Sequence, residues 1–148
     1  MSNRVMHKQF LQAGSYKILQ TDLCRLAGIN EYVLVLLMAK KYGVKVCLHA
    51  GGVGLCNMAA HGCMIDFVAI CGTTEGRMCE YVDELQEHFV TPLDTYTSKS
   101  RYFAPSAVGF GLEMKNESIE EYEYPNGPYW SARPGHFDAD KQPIPANW

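Results

Sequence analysis

Three residues of this chain are of the types that move protons and stand roughly one βα unit apart: Asp22, His49 and Glu80. His49 lies 27 residues after Asp22, and Glu80 lies 31 after His49. His49 closes an apolar run, Val44-Lys45-Val46-Cys47-Leu48, and opens a turn rich in glycine, Ala50-Gly51-Gly52-Val53-Gly54. An α/β fold presents a reactive side chain in this way, at the end of a strand that turns through glycines into a helix. An imidazole suits the role of base because its free form titrates near neutrality. A carboxylate on a neighbouring strand end can hold one ring nitrogen as N–H and stabilise the imidazolium formed on protonation. Asp22 and His49 could form such a dyad. Glu80 could hydrogen-bond a hydroxylated substrate or merely solvate the rim. The plain alternative is a glycine-rich turn with a surface histidine.

The elements that would position these groups alternate. Residues 4–13 read as a helix with Asn3 as its N-cap, and Ile18 to Asp22 as a short strand ending in a carboxylate. Asn30 caps a strongly apolar helix over 31–42, closed by Lys40-Lys41 and Gly43, as a helix C-terminus prefers. A strand over 44–48 and a helix over 55–64 follow. Phe67 to Cys71 reads as a further buried strand, the loop 72–76 leads on, and 77–89 reads as a helix. Such alternation implies a parallel sheet with helical crossovers, whose strand C-termini share one face. The chain divides into βα units over 1–90, a segment over 91–130 of turns, aromatics and short β-like runs, and a poorly ordered tail over 131–148. Residues 116–122 suggest a short helix.

Composition narrows the function. The 148 residues are 47% hydrophobic and 20% charged, enough to bury one core. A net charge of -3 argues against a nucleic-acid surface. No apolar run approaches the roughly 18 residues of a membrane span. The six cysteines form no CxxC pair and suit reduced, buried thiols of an intracellular protein. Cys47, His49, Cys56, His61 and Cys63 match no compact zinc module. His61 and His88 read as packing or surface residues on helices, and His7 as a residue on the outer face of its helix.

The runs Leu19-Gln20-Thr21-Asp22 with Cys24-Arg25-Leu26, Val33 to Lys41, His49 to Cys56, Glu80-Tyr81-Val82-Asp83, Glu87-His88-Phe89 and Glu113-Met114-Lys115 carry a resemblance. From Asn3 to Trp130 the chain resembles the C-terminal part of the L-fuconate dehydratases of the enolase superfamily, in the mandelate racemase-like branch, including eukaryotic mitochondrial-type members. The resemblance implies the last three βα units of a (β/α)-barrel, an incomplete barrel with a C-terminal extension. It implies that His49 is the base, Asp22 its dyad partner and Glu80 a substrate-contacting carboxylate. The reaction implied is removal of the proton next to a sugar acid's carboxylate, with Mg²⁺ stabilising the charge, then loss of water to give a 2-keto-3-deoxy acid. The family's Mg²⁺ ligands, its lysine and its capping domain lie on segments this chain does not supply, so the chain alone is expected to be inactive and to bind Mg²⁺ poorly. Asn57 and Leu48 stand where the family usually has Glu and Pro. A non-catalytic reading remains beside this one: a truncated pseudoenzyme, or half of a split enzyme, pairing with the rest of the barrel or with itself through open sheet edges. The expected location is intracellular and cytoplasmic, or mitochondrial as for eukaryotic relatives.

Overall fold

The computed structural model describes residues 1–51, 55–82, 85–90, 95–96, 100–104 and 106–132. Helix α1 spans Arg4–Gln12, and the Asn3 side chain caps it by accepting from Met6 N at 2.9 Å. Strand β1 is Ile18–Leu19, helix α2 Ile29–Lys41 and strand β2 Lys45–Leu48. Helix α3, Leu55–Met64, runs without a break into a π-helical segment, Ile65–Cys71. Strand β3 is Met78–Cys79, followed by a 3₁₀ turn over Gln86–His88. Strands β4 (Thr95–Tyr96) and β5 (Arg101–Tyr102) pair antiparallel. Helices α4 (Asn116–Tyr122) and α5 (Pro128–Ser131) complete the described chain.

The sheet has the order β1-β2-β3. Both ladders are parallel: Ile18 pairs with Lys45 and Leu19 with Val46, Cys47 with Met78 and Leu48 with Cys79. The core under it joins Leu19, Val46 and Leu48 to Tyr32, Val35, Leu36 and Ala39 of α2 and to Cys56, Ala59 and Cys63 of α3. Gly62 of α3 packs closely on the sheet. A Cβ there would stand 2.8 Å from Leu48 Cδ2 and 3.4 Å from the Tyr32 hydroxyl. That hydroxyl, wholly buried, donates to Gly62 O at 3.0 Å.

Four expectations from the sequence are corrected. Residues 67–71 are not a strand: Val68 is 76% exposed, while Asp66 and Ile70 are buried four residues apart, which is helical spacing. Residues 77–89 are not a helix, because Met78 and Cys79 pair with β2. Asn30 is not the cap of α2, which begins at Ile29 after Gly28 (φ 99°). His7 is not on an outer face. It is 1% exposed, sharing the buried side of α1 with Leu11, while Val5 and Phe10 face out. The helix expected over 55–64, the end of α2 at Lys40-Lys41 and Gly43 (φ 67°), and α4 match the structure.

The chain forms two compact units, Met1–Leu112 and Glu113–Trp148. In the second, the rings of Tyr122, Tyr129, Trp130 and Tyr124 meet in sequence, tilted or edge-on, with centroids 4.9 to 5.5 Å apart. The tail expected to be poorly ordered lies, from residue 133 onward, outside the described residues, as do Gly52, Val53 and Gly54 of the glycine turn.

Candidate active site

The parallel register sets the site. β1, β2 and β3 end on one side of the sheet, and the chain delivers Asp22, His49 and Glu80 just beyond those ends. His49 directly follows β2, and its N–H donates to Thr21 O at 2.9 Å, extending the β1–β2 ladder to the residue before Asp22. Glu80 directly follows β3, and its N–H donates to Leu48 O at 3.2 Å. Glu80 is therefore a strand-end residue, not one near the start of a helix as the sequence suggested.

All three side chains meet. His49 Nδ1 lies 2.6 Å from Glu80 Oε2, and His49 Nε2 lies 3.8 Å from Asp22 Oδ2. The ring hydrogen bond thus goes to Glu80, while Asp22 stands at ion-pair distance on the other side. Asp22 is held by its own turn: Oδ1 accepts from Cys24 N at 2.8 Å, and Oδ2 lies 3.2 Å from Arg25 Nε. A carboxylate only accepts, so Nδ1 carries the proton shared with Glu80 and the Nε2 lone pair is left to take another. The histidine side chain is 38% exposed and Asp22 16%, so the ring is reachable while its charged neighbours are partly screened from water.

Glu80 is the most heavily engaged of the three. The same Oε2 accepts from Ala50 N at 2.9 Å. Burial acts to raise the Glu80 carboxyl, but the Ala50 N–H, the hydrogen bond and charge of His49, and the Gln20 side chain outweigh it and hold the carboxyl below its ordinary value. Its backbone is pinned too, since the Tyr102 hydroxyl donates to Glu80 O at 2.8 Å. Sequence reasoning assigned no role to Gln20, Ala50 or Tyr102. Ala50 acts through its backbone, for which no side-chain signal exists, and Tyr102 arrives from β5 by tertiary packing. Gln20 does sit in the Leu19-Gln20-Thr21-Asp22 run, two residues before Asp22 and so facing the same way in an extended chain. Of the other histidines, His61 meets Phe110, Nε2 to O at 3.2 Å with the rings edge-on, and His88 Nε2 lies 3.7 Å from Glu87.

A family model described as enolase C-terminal domain-like matches residues 1–118. Mitochondrial enolase superfamily member 1 of Xenopus laevis is 49% identical over 128 residues, which are 86% of this chain and 28% of that protein. L-galactonate dehydratase of Hypocrea jecorina is 46% identical over 123 residues, 83% of this chain and 26% of that protein. The crystal structure of human mitochondrial enolase superfamily member 1 superposes with a TM-score of 0.80 at 45% identity, covering 88% of this chain and 29% of that one. The chain thus spans less than a third of the length of these relatives.

Proposed function

This chain belongs to the enolase C-terminal domain-like family, and on that premise we propose that it carries the proton-transfer half of a hydro-lyase acting on a sugar acid. The observation that carries the reading is the bracketed imidazole, with Glu80 at 2.6 Å on Nδ1 and Asp22 at 3.8 Å from Nε2. The dehydratase name among the relatives supports the reaction class. L-fuconate, or a close stereoisomer, is the substrate the sequence resemblance favours. The name mitochondrial enolase superfamily member 1 among the relatives supports a mitochondrial rather than a cytoplasmic setting. No helix among the described residues is long and apolar enough to cross a membrane.

In this reading Nε2 of His49 takes the proton next to the substrate carboxylate. Glu80 fixes the ring and its tautomer, and with Asp22 supplies the countercharge for the imidazolium. The same Nε2–H then returns the proton to the departing 3-hydroxyl, so that water leaves and the enol tautomerises to the keto acid. Glu80 also contacts a substrate hydroxyl. The Mg²⁺ implied by the resemblance does not fit these residues. Among the described residues no group of three or more His, Cys, Asp or Glu side chains is placed to hold a metal ion. Asp22 is committed to Cys24 and Arg25, and Glu80 to His49 and Ala50. The steps assigned to His49, Asp22 and Glu80 do not run through the metal.

The deciding experiment follows exchange of the substrate's C2 proton with deuterium from solvent, by NMR, in an active protein that contains this segment. His49→Asn is expected to lower exchange by about 10²–10⁴-fold, the usual worth of a positioned base. Exchange that persists at the parent rate overturns the role given to His49.

The sheet supports a second reading. Among the described strands, β1 and β3 each pair on one side only. Such edges recruit further strands, which favours assembly with another part of a barrel or with a second copy. A chain that stays monomeric across a wide concentration range in light scattering, with no added partner, rejects self-association.

A further inference from the structure

The cysteines divide sharply by environment. Cys24 is exposed, while Cys56 and Cys63 are buried. Cys79 is half-buried at the end of β3 and also lines a cavity of about 530 Å³, together with Phe67, Arg77, Tyr81, Arg101 and Tyr102. Register fixes which way it faces. Cys79 pairs with Leu48, and partners in a parallel ladder share a face. Leu48 lies against Gly62 of α3, and the next residue of that helix is Cys63. The Cys63 and Cys79 thiols are hydrogen-bonded to each other. Cys47 projects from the opposite face of β2 and is the neighbour of Met78 in the ladder.

We propose that Cys79 and Cys63 form an oxidisable dithiol, in which Cys79 is attacked by a hydroperoxide entering the cavity and Cys63 resolves the product as a disulfide. The Cys79 sulfur displaces one oxygen of the peroxide, giving a sulfenic acid and releasing the other oxygen as water or an alcohol. The Cys63 sulfur then attacks the Cys79 sulfur, the S–O bond breaks, and the hydroxyl leaves as water with the Cys63 proton. Two thiols are oxidised and one peroxide is reduced. The roles follow from access: Cys79 is half-buried and lines the cavity, whereas Cys63 is buried and does not. The bond from Cys63 lowers the Cys79 thiol against the opposing effects of burial and Glu80. The same bond, with burial, raises Cys63. The thiolate is the nucleophile, so the first attack belongs to the half-buried residue that the cavity reaches. The product ties α3 to the strand that presents Glu80. The inference is independent of the chemistry proposed for His49.

The test treats the reduced full chain with a few equivalents of hydrogen peroxide, alkylates the remaining thiols and maps the peptides by mass spectrometry. The expected product has lost two hydrogens, contains a Cys63–Cys79 cross-link, carries alkylated Cys24, Cys47, Cys56 and Cys71, and reverts with dithiothreitol. In Cys63→Ser the cross-link is lost, and dimedone traps a sulfenic acid on Cys79 that the parent chain does not accumulate. The parent chain alone decides if that variant fails to fold. Oxidation that settles first on exposed Cys24, a cross-link through Cys47, or no cross-link at all overturns the proposal.

Discussion

The body of the parallel sheet and its C-terminal rim are built from opposite materials, and on β2 and β3 a single peptide bond separates them. Leu48 is 1% exposed and wedged against Gly62, yet His49, the next residue, is 38% exposed and bracketed by carboxylates. Cys79 packs toward α3, and Glu80, next to it, collects hydrogen bonds from the ring and from Ala50 N. The body is held by apolar contact and close packing, which tolerate no change of volume. The rim is held by a few directional bonds to exposed or half-exposed groups, which individually contribute little to folding. Close packing and the bracketed imidazole thus fall to adjacent residues, and each can be altered with limited damage to the other.

The contrast can be tested from the body outward. Leu48→Ala removes a fully buried side chain at the centre of the sheet and should lower unfolding free energy by about 2–5 kcal/mol in urea titrations. Gly62→Ala comes next. Its Cβ would meet Leu48 Cδ2 at 2.8 Å, and Leu48 is fully buried. Overpacking of this kind costs about 1–3 kcal/mol, partly offset by roughly 1 kcal/mol of helix propensity gained over glycine. In a Leu48→Ala background the closest contact disappears, leaving those with Leu23 Cδ2 at 3.3 Å and the Tyr32 hydroxyl at 3.4 Å, so the added cost of Gly62→Ala should shrink. A double-mutant cycle that shows simple additivity would mean that the two residues do not share one packing site.

Glu80→Gln should perturb stability less than either body substitution, and its effect should depend on pH. The folded carboxyl sits below its ordinary value. Its contribution is therefore present above the unfolded value near 4.3 and is lost as pH falls through that value to the lowered folded one. The parent chain should destabilise over this acid range more steeply than Glu80→Gln. Parallel pH profiles for the two, or a loss at neutral pH as large as that of Leu48→Ala, would erase the distinction between body and rim.

How far the sequence revealed all this depends on whether the signal was local. Asn3 and Gly43 mark helix ends by their own chemistry, and the spans expected for α1, α3 and α4 match the structure, although His7 lies on the buried face of α1 rather than the outer one. The meeting of Asp22 and His49 was legible because parallel strands ending in polar residues must deliver them to one side; Glu80 joins them as a strand-end residue only because Met78 and Cys79 form β3 rather than the expected helix. Phe67 to Cys71 misled because five apolar residues in a row fit a strand or a helix equally; continuity with α3 decides it, with Asp66 on the inner side accepting from Cys71 Sγ at 3.1 Å. Met78 and Cys79 carry no strong strand preference of their own. They become a strand by pairing with β2, an interaction 31 positions distant in the chain. The ring's choice of Glu80 over Asp22 was equally hidden, since it turns on a separation of 2.6 Å against 3.8 Å and on the Cys24 N–H and Arg25 that already occupy Asp22.

The parallel register also dictates a sequence of events in time. His49 and Glu80 are 31 positions apart, and α3 and the π-helical segment lie between them in the chain. Contacts across such spans form late because the loop must close before they return any energy. During synthesis from the N-terminus, Asp22 and His49 emerge and can settle while Glu80 is still to come. Until β3 pairs with β2, His49 Nδ1 lacks its Glu80 partner and the bracketed geometry is incomplete. No half-finished sheet carries the completed site.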